Sequence, residues 1–374
     1  MKFSTFHSFM LVDAIRGGKL PDDVDAGILP QHYDQVVSTH HNEIQMELEE
    51  IRWVEELGFD GVWLREHHFT DYGFLPNTMV MLGYIASMTK RIRLGSAVVT
   101  LPLHNPVRAA EDAALVDVIS NGRLNYGIGR GYQSIEFDTL GVPMDDSRER
   151  CTEEIESIIQ LWSNDTASYH GRFVDFEEVR LQPKPLQQPH PPVFYASISK
   201  ESVLHFAKLG IPFIVDSTLT LSSLDQLCAA WSEVASAHGH DPGSGELVAM
   251  RTVWLDETDE RAREYVARAP KVESTAHDPK LAPRKKDGSI ARGYEYWQRG
   301  WHGRSLKHYD TSENWENRWI AGDIDRVVGG IKRLEEMGVK NLIVAFGSDA
   351  EPTSRSEKRR RMELFAREVM PHFR

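Results

Sequence analysis

Apolar positions along this chain keep two rhythms that alternate. Short apolar runs bounded by Gly or Pro read as strands, and between most of them apolar residues recur at helical spacing. The runs are Lys2 to Met10, Gly61 to Leu64, Ile92 to Leu101, Arg123 to Ile128, Val193 to Ser197, Pro212 to Asp216, Leu247 to Leu255 and Asn341 to Phe346. Ile44, Leu48, Ile51, Val54 and Leu57 form the buried stripe of the first helix, and Gly58 suits its C′ position. Later helices follow Pro76, run from Pro106 to Ile119, carry Cys151, Ile155, Ile158, Ile159 and Trp162, and run from Ser222 to His238 and Asp323 to Met337. A final helix reaches Met370. Asp146 with Glu149 three residues on resembles a capping box. Leu57-Gly58-Phe59, Leu209-Gly210-Ile211 and Met337-Gly338-Val339 each end a helix and launch a buried strand. Eight strand–helix units predict one closed parallel (β/α)8 TIM barrel over residues 1–374, with an open doubly wound sheet as the alternative.

Three stretches break the rhythm and read as insertions. Val12 to Ser38 holds Gly17-Gly18, Pro21, Gly27 and Pro30, too many breakers for a helix, and is expected to be a long loop. Asp165 to Pro192 reads as a hairpin around Tyr169 to Phe173 with a proline-rich connector. Pro270 to Asn317 is polar and glycine-rich, yet carries Tyr294, Tyr296, Trp297, Trp301, Tyr309 and Trp315. Long irregular stretches are often lids, so it is expected to be a mobile cover, with a solvated insertion or an oligomer contact as the other reading.

Composition narrows the partners. The net charge of −13 opposes binding to nucleic acid or an anionic membrane, because phosphate-rich surfaces need a basic footprint. The basic cluster Arg355, Lys358, Arg359, Arg360 and Arg361 reads as a solvated helix face. Only Cys151 and Cys228 are present, so no disulfide framework exists and a cytoplasmic setting is expected. Neither a signal peptide nor an apolar run of about 20 residues is visible.

The chemistry concentrates at strand ends. Gly61 to Leu64 runs directly into Arg65-Glu66-His67-His68, and ionisable groups at the C-terminal mouth of a strand are where α/β enzymes place their chemistry. An imidazole there can exchange a proton near neutrality. The adjacent histidines are expected to face opposite ways, and Glu66 could orient one of them. Gly127-Ile128-Gly129-Arg130-Gly131 fails the spacing of a dinucleotide fingerprint. It leaves a strand end without side chains, where a flat ring could approach, followed by an arginine that could grip a phosphate. A tight barrel corner with a surface arginine is the plainer reading. Ser197-Ile198-Ser199 at a strand-to-helix turn reads as an N-cap or as an anion site. Neither H-E-x-x-H nor G-x-S-x-G nor a P-loop occurs, and His238-Gly239-His240 falls on the wrong side of a barrel for a metal hydrolase.

Together, Trp63-Leu64-Arg65-Glu66-His67-His68-Phe69-Thr70, Leu101 to Arg108, Glu111-Asp112, Gly122-Arg123-Leu124, Arg130-Gly131-Tyr132 and Met144 to Arg148 resemble the bacterial luciferase family of flavin monooxygenases, in the family's order. The resemblance implies a barrel with FMN at its C-terminal mouth. The FMN would arrive reduced from a separate flavin reductase, and O2 would add to give a C4a-hydroperoxyflavin that oxygenates a small organic substrate. It places the catalytic histidine at His67, beside Glu66, and the phosphate-binding arginine at Arg130. It also puts an acidic residue affecting flavin binding at Glu136, a phosphate turn at Ser197, Ile198 and Ser199, and a non-proline cis peptide at Ala97-Val98. It suggests a homodimer; no metal is expected, because adjacent histidines that face opposite ways are poor joint ligands. Gly129 stands where the luciferase α chain has a reactive cysteine, and the turn near Ser197 lacks that chain's acidic residue. Both departures speak against light emission and an aldehyde substrate. A deazaflavin-dependent hydride-transfer enzyme of the same fold and a non-catalytic flavin-binding partner subunit are the alternatives.

Overall fold

A computed structural model describes residues 1–10, 33–70, 73–243, 245–268, 282–295, 317–346 and 355–374. Its strands are β1 (Lys2–His7), β2 (Gly61–Leu64), β3 (Arg93–Ser96), β4 (Val99–Thr100), β5 (Leu124–Gly129), β6 (Ala167–His170), β7 (Asp175–Val179), β8 (Val193–Ala196), β9 (Phe213–Val215), β10 (Leu247–Leu255), β11 (Ile320–Gly322) and β12 (Val339–Phe346). The order β10-β12-β1-β2-β3-β5-β8-β9 closes through the β9–β10 pairing, and every pairing in this ring is parallel. The chain thus folds as the closed (β/α)8 barrel that the alternating pattern predicts, and the open-sheet alternative is excluded.

Alternation along each strand sorts the core into two layers. Trp63, Phe194, Ile214, Val248 and Ile343 fill the barrel's interior. Leu64, Leu94, Tyr126, Tyr195, Val215 and Leu342 point outward and join the larger core beneath the helices. Gly95 makes the interior possible, since a Cβ there would lie 2.4 Å from the Trp63 ring. Phe6, Ala97, Ala196 and Met250 are only partly buried and pack on the interior cluster. Ala97 and Ala196 leave little side chain on their arc of the mouth, whereas Phe6 and Met250 fill the opposite part.

Several expectations are corrected. The run Ile92 to Leu101 is not one strand: β3 and β4 are separated by Ala97-Val98, whose peptide bond is cis, as the resemblance implied. The first helix begins at Tyr33, inside the stretch read as a loop, and residues 11–32 lie outside the described residues. Asp146 makes no side-chain cap, because its backbone is already helical within a short 3-10 turn. Helix Ser134–Leu140 and strand β11, which pairs with β10, were not foreseen. The hairpin is present as antiparallel β6 and β7.

The basic cluster is not simply solvated. Arg361 is buried, Lys358 pairs with Glu50 and Arg360 pairs with Asp256. Of the stretch expected to be a lid, only 282–295 is described at length. It is docked: Ala291 and Tyr294 are buried against Phe137 and Met144, and Arg292 binds Asp145 and Glu149. Both cysteines are free and buried. No helix among the described residues is long and apolar enough to cross a membrane.

Candidate active site

The strands β2, β3, β5 and β8 are consecutive neighbours in the barrel. His67 follows β2, Ala97-Val98 follows β3, Gly129 and Arg130 close β5, and Ser197 follows β8. Parallel strands place all of these at one end of the barrel, over one arc of the mouth.

His67 is held from the β5 side. Its Nδ1 lies 2.9 Å from Glu136 Oε1 and 2.9 Å from the Gln133 side-chain amide, and its Nε2 lies 3.4 Å from the Tyr132 hydroxyl. The Tyr132 ring meets the imidazole edge-on at 5.6 Å. Glu136 is fully buried in the first turn of helix Ser134–Leu140 and also accepts the His68 main-chain N–H at 3.0 Å. A carboxylate beside Nδ1 selects the tautomer that donates from Nδ1, which leaves the Nε2 lone pair toward Tyr132. Gln133 Nε2 is the amide atom that faces Nδ1, and an N–H on Nδ1 calls for the flipped amide, with Oε1 accepting. Burial pushes the His67 pKa below its ordinary value, and Glu136 offsets only part of that. The imidazole is thus neutral near pH 7, a fixed base rather than a cation.

Glu66 does not join His67. Its Oε1 accepts the Thr100 main-chain N–H at 3.1 Å, His104 Nε2 at 2.9 Å and His68 Nε2 at 3.4 Å. Burial alone would raise its pKa, but the His104 and His68 hydrogen bonds hold it below the usual carboxylate value. The same pairing raises His104 despite burial. The histidine pair does diverge, with Glu136 holding one ring and Glu66 the other.

Arg130 is buried at the rim. Its guanidinium lies over the Tyr294 ring at 3.8 Å, and its Nη2 donates to Gly293 O. Arg148, which motif reading left without a role, meets it here. A Cβ on Gly293 would touch Arg130 Nη1 at 2.8 Å and Arg148 Nη2 at 3.1 Å. Arg148 also pairs with Glu201 in the first turn of helix Lys200–Ala207, directly after Ser199. The two arginines and the Ser197–Ser199 turn thus share one corner. Ser199 sits at the N-cap position without a side-chain cap, and Ser197 Oγ accepts its N–H at 3.0 Å. The expected hydroxyl cap is not made.

The glycines answer to the strand beside them. A Cβ on Gly127 would fall 1.9 Å from Ser96 O, and one on Gly129 would fall 2.9 Å from Val98 Cγ2. His238 and His240 are engaged by the main-chain carbonyls of Val234 and Lys208.

The luciferase-like monooxygenase family model matches residues 26–341. The chain belongs to this family. The membership makes it a flavin-dependent monooxygenase. It is 28% identical over 324 residues to the alkanal monooxygenase alpha chain of Photobacterium leiognathi, covering 85% of this chain and 90% of that one. Over 142 residues, 37% of this chain and 39% of the relative, it is 37% identical to the oxygenase component of the flavin-dependent trigonelline monooxygenase of Acinetobacter baylyi. Among solved structures, a monooxygenase from Streptomyces bottropensis superposes with a TM-score of 0.74 at 24% identity, covering 100% of both chains. The oxygenating constituent of 3,6-diketocamphane monooxygenase from Pseudomonas putida, in complex with FMN, gives 0.70 at 18%, covering 99% and 98%. An F420-dependent secondary alcohol dehydrogenase also gives 0.70, at 17%, covering 100% and 99%. At these identities the three structures speak for the fold alone.

Proposed function

We propose that this luciferase-like monooxygenase is the oxygenase component of a two-component system. It would take reduced FMN from a separate flavin reductase and use O2 to oxygenate a small organic substrate. The observation that carries this reading is the arc of the mouth: a neutral imidazole at His67, small side chains at Ala97, Gly129 and Ala196, and a cationic corner at Arg130 and Arg148. A flat ring needs such a shallow, side-chain-poor floor, and a phosphate needs the corner. Arg130, Arg148 and the Ser197–Ser199 turn would hold the phosphate, and Ala97, Val98 and Gly129 would border the ring. The flavin supplies the redox chemistry when bound. His67 would accept or return a proton through Nε2, while Glu136 fixes the ring's tautomer and direction. Glu66 supports the rim through His104 and His68. The relative named as an oxygenase component supports the reductase partner.

The reading is tested by stopped flow. The chain is loaded with reduced FMN, then mixed with oxygenated buffer. A transient absorbance distinct from both reduced and oxidised FMN is expected. Direct conversion of one to the other, or preferential binding of a reduced deazaflavin, would reject it.

A homodimer belongs to the same proposal. Helix Thr78–Met88 carries no charged residue, yet Val80 and Tyr84 are exposed on it. Leu115, Val118 and Ile119 are exposed on helix Pro106–Ile119, which packs beside it. A contiguous apolar face of this kind calls for cover, and a second copy of the same face is self-complementary.

A further inference from the structure

Behind the mouth, the chain gathers a second set of groups able to ligate a metal. Glu66, His68 and His104 each offer one ligand atom, and the three atoms lie within 4.8 Å of one another. Glu66 Oε1 is 2.9 Å from His104 Nε2 and 3.4 Å from His68 Nε2. Two ligands of one tetrahedral ion, with bonds of about 2.1 Å, stand roughly 3.4 Å apart. The 3.4 Å separation matches that of a coordination shell, and the 2.9 Å one is a hydrogen bond that would open by about 0.5 Å to admit the ion.

An independent observation points the same way. Glu66 is 1% exposed, yet its Oε2 has no hydrogen-bond partner among the described residues. It borders a cavity of about 10 Å³ lined also by His104, Asp112, Thr78 and Tyr126, with His68 on the other side of the carboxylate, at Oε1. The Tyr126 hydroxyl and Thr78 Oγ1 are likewise without partners among the described residues. Such a hollow holds about one water. A buried carboxylate with half its acceptor capacity unused is costly unless a cation or water completes it.

We propose that Glu66, His68 and His104 bind one divalent cation of the borderline class, Zn²⁺ or Co²⁺, in a His₂Glu site with water beside it. Two imidazoles and one carboxylate disfavour Mg²⁺ and Ca²⁺, which take oxygen shells. The ion stands apart from the oxygen chemistry. It ties the segment after β2 to the turn after β4, and it fixes His68, whose main-chain N–H binds the carboxylate that orients His67. The other cluster of this kind among the described residues, His7, Glu47 and Glu50, carries nothing. Lys358 already places a cation 2.5 Å from Glu50, and both His7 ring nitrogens are engaged by Thr5 and Glu47.

The test uses the full chain, without an affinity tag and stripped of metal by a chelator. Zn²⁺ is titrated by calorimetry, and Co²⁺ by its visible absorption bands. One saturable equivalent per chain is expected. His68→Ala and His104→Gln should each weaken it by more than about tenfold. His104→Gln keeps a donor toward Glu66 and so guards against mere unfolding, which circular dichroism checks. Glu47→Gln should leave binding unchanged. No saturable equivalent in the wild type, or binding that survives both His68→Ala and His104→Gln, overturns the proposal.

Discussion

Glu136 Oε1 lies 2.9 Å from His67 Nδ1, and neither side chain is more than 7% exposed. The two residues stand on different strand-to-helix connections, so the barrel itself brings them together. A carboxylate behind an imidazole does two things: it selects the tautomer, and it stabilises the proton that the distal nitrogen would take up. Burial works against the second effect and dominates, which leaves His67 with a lowered pKa.

The sign of the pH response follows. His67's folded pKa lies below its unfolded value, so acid protonates the unfolded chain first. Its contribution to stability is present above pH about 6.5 and is lost as pH falls below that. Glu136→Gln removes the group that holds the pKa up, so the His67 midpoint should move to still lower pH. NMR of histidine-labelled protein reads both midpoints. An upward shift in the variant would show that Glu136 does not act on this imidazole. Turnover should drop about 10- to 100-fold in the variant, the value of a charge-assisted hydrogen bond of about 1.5–3 kcal/mol.

Glu154 titrates in the opposite sense. Burial raises its pKa to about 9, and Arg150 at 3.8 Å is too distant to reverse this. Its folded pKa stands above the unfolded value of 4.5, so the folded chain keeps a proton that the unfolded chain releases. Stability from this group is complete below pH 4.5 and declines as pH rises toward 9. At pH 7 the deficit is roughly 3 kcal/mol. Glu154→Gln, which resembles the neutral acid, should therefore melt higher than wild type at pH 8 and lose that advantage at pH 4. Equal melting temperatures at both pH values would refute the buried neutral acid.

Arg130→Ala should weaken FMN binding by about 1.5–3 kcal/mol, the loss of a charge-assisted phosphate contact. Arg148→Ala should act in the same direction, since both guanidinium groups converge on one corner. Quenching of FMN fluorescence measures both. Affinity within twofold of wild type for either variant would move the phosphate away from that arginine.

Two glycine substitutions separate crowding from backbone strain. A Cβ on Gly127 would meet the Ser96 carbonyl oxygen at 1.9 Å, whereas Gly141, at φ +73°, has open space around it. Gly127→Ala should cost about 3 kcal/mol or more. Gly141→Ala should cost only about 1–2 kcal/mol, the left-handed penalty. Chemical denaturation without flavin compares them, and similar losses would contradict the packing argument.

The barrel was legible because strand and helix rhythms survive where both layers are buried. Leu64, Tyr126 and Tyr195 look like any apolar run and behave accordingly. His67 and Arg130 were legible through the ordered motifs and Ser197 as a strand-to-helix turn, and the ring of strands explains why all three lie at one end of the barrel. The separation of Glu66 from His67 was not legible. It depends on which way a side chain turns after β2 has ended, and no periodicity governs a segment outside regular structure. His104 and Arg148 went unassigned for a related reason, because each acquires its partners only through contacts between connections. Asp146 misled because a capping box needs an extended N-cap backbone, which its 3-10 turn denies.

The apolar face on helices Thr78–Met88 and Pro106–Ile119 yields the last prediction. Val80 is 72% exposed and Ile119 53%, and both helices have their other faces in the core, so about half of this apolar surface is left uncovered in the monomer. Each of these half-exposed side chains, once covered, would contribute about 1 kcal/mol to the contact before the cost of association. Tyr84→Glu with Leu115→Glu places carboxylates on a face where two copies would bring like charges together. Sedimentation velocity should show the wild type at twice the chain mass and the double variant at the mass of one chain, with both equally folded by circular dichroism. A monomeric wild type, or a double variant still at twice the mass, would assign this face to another partner or to none.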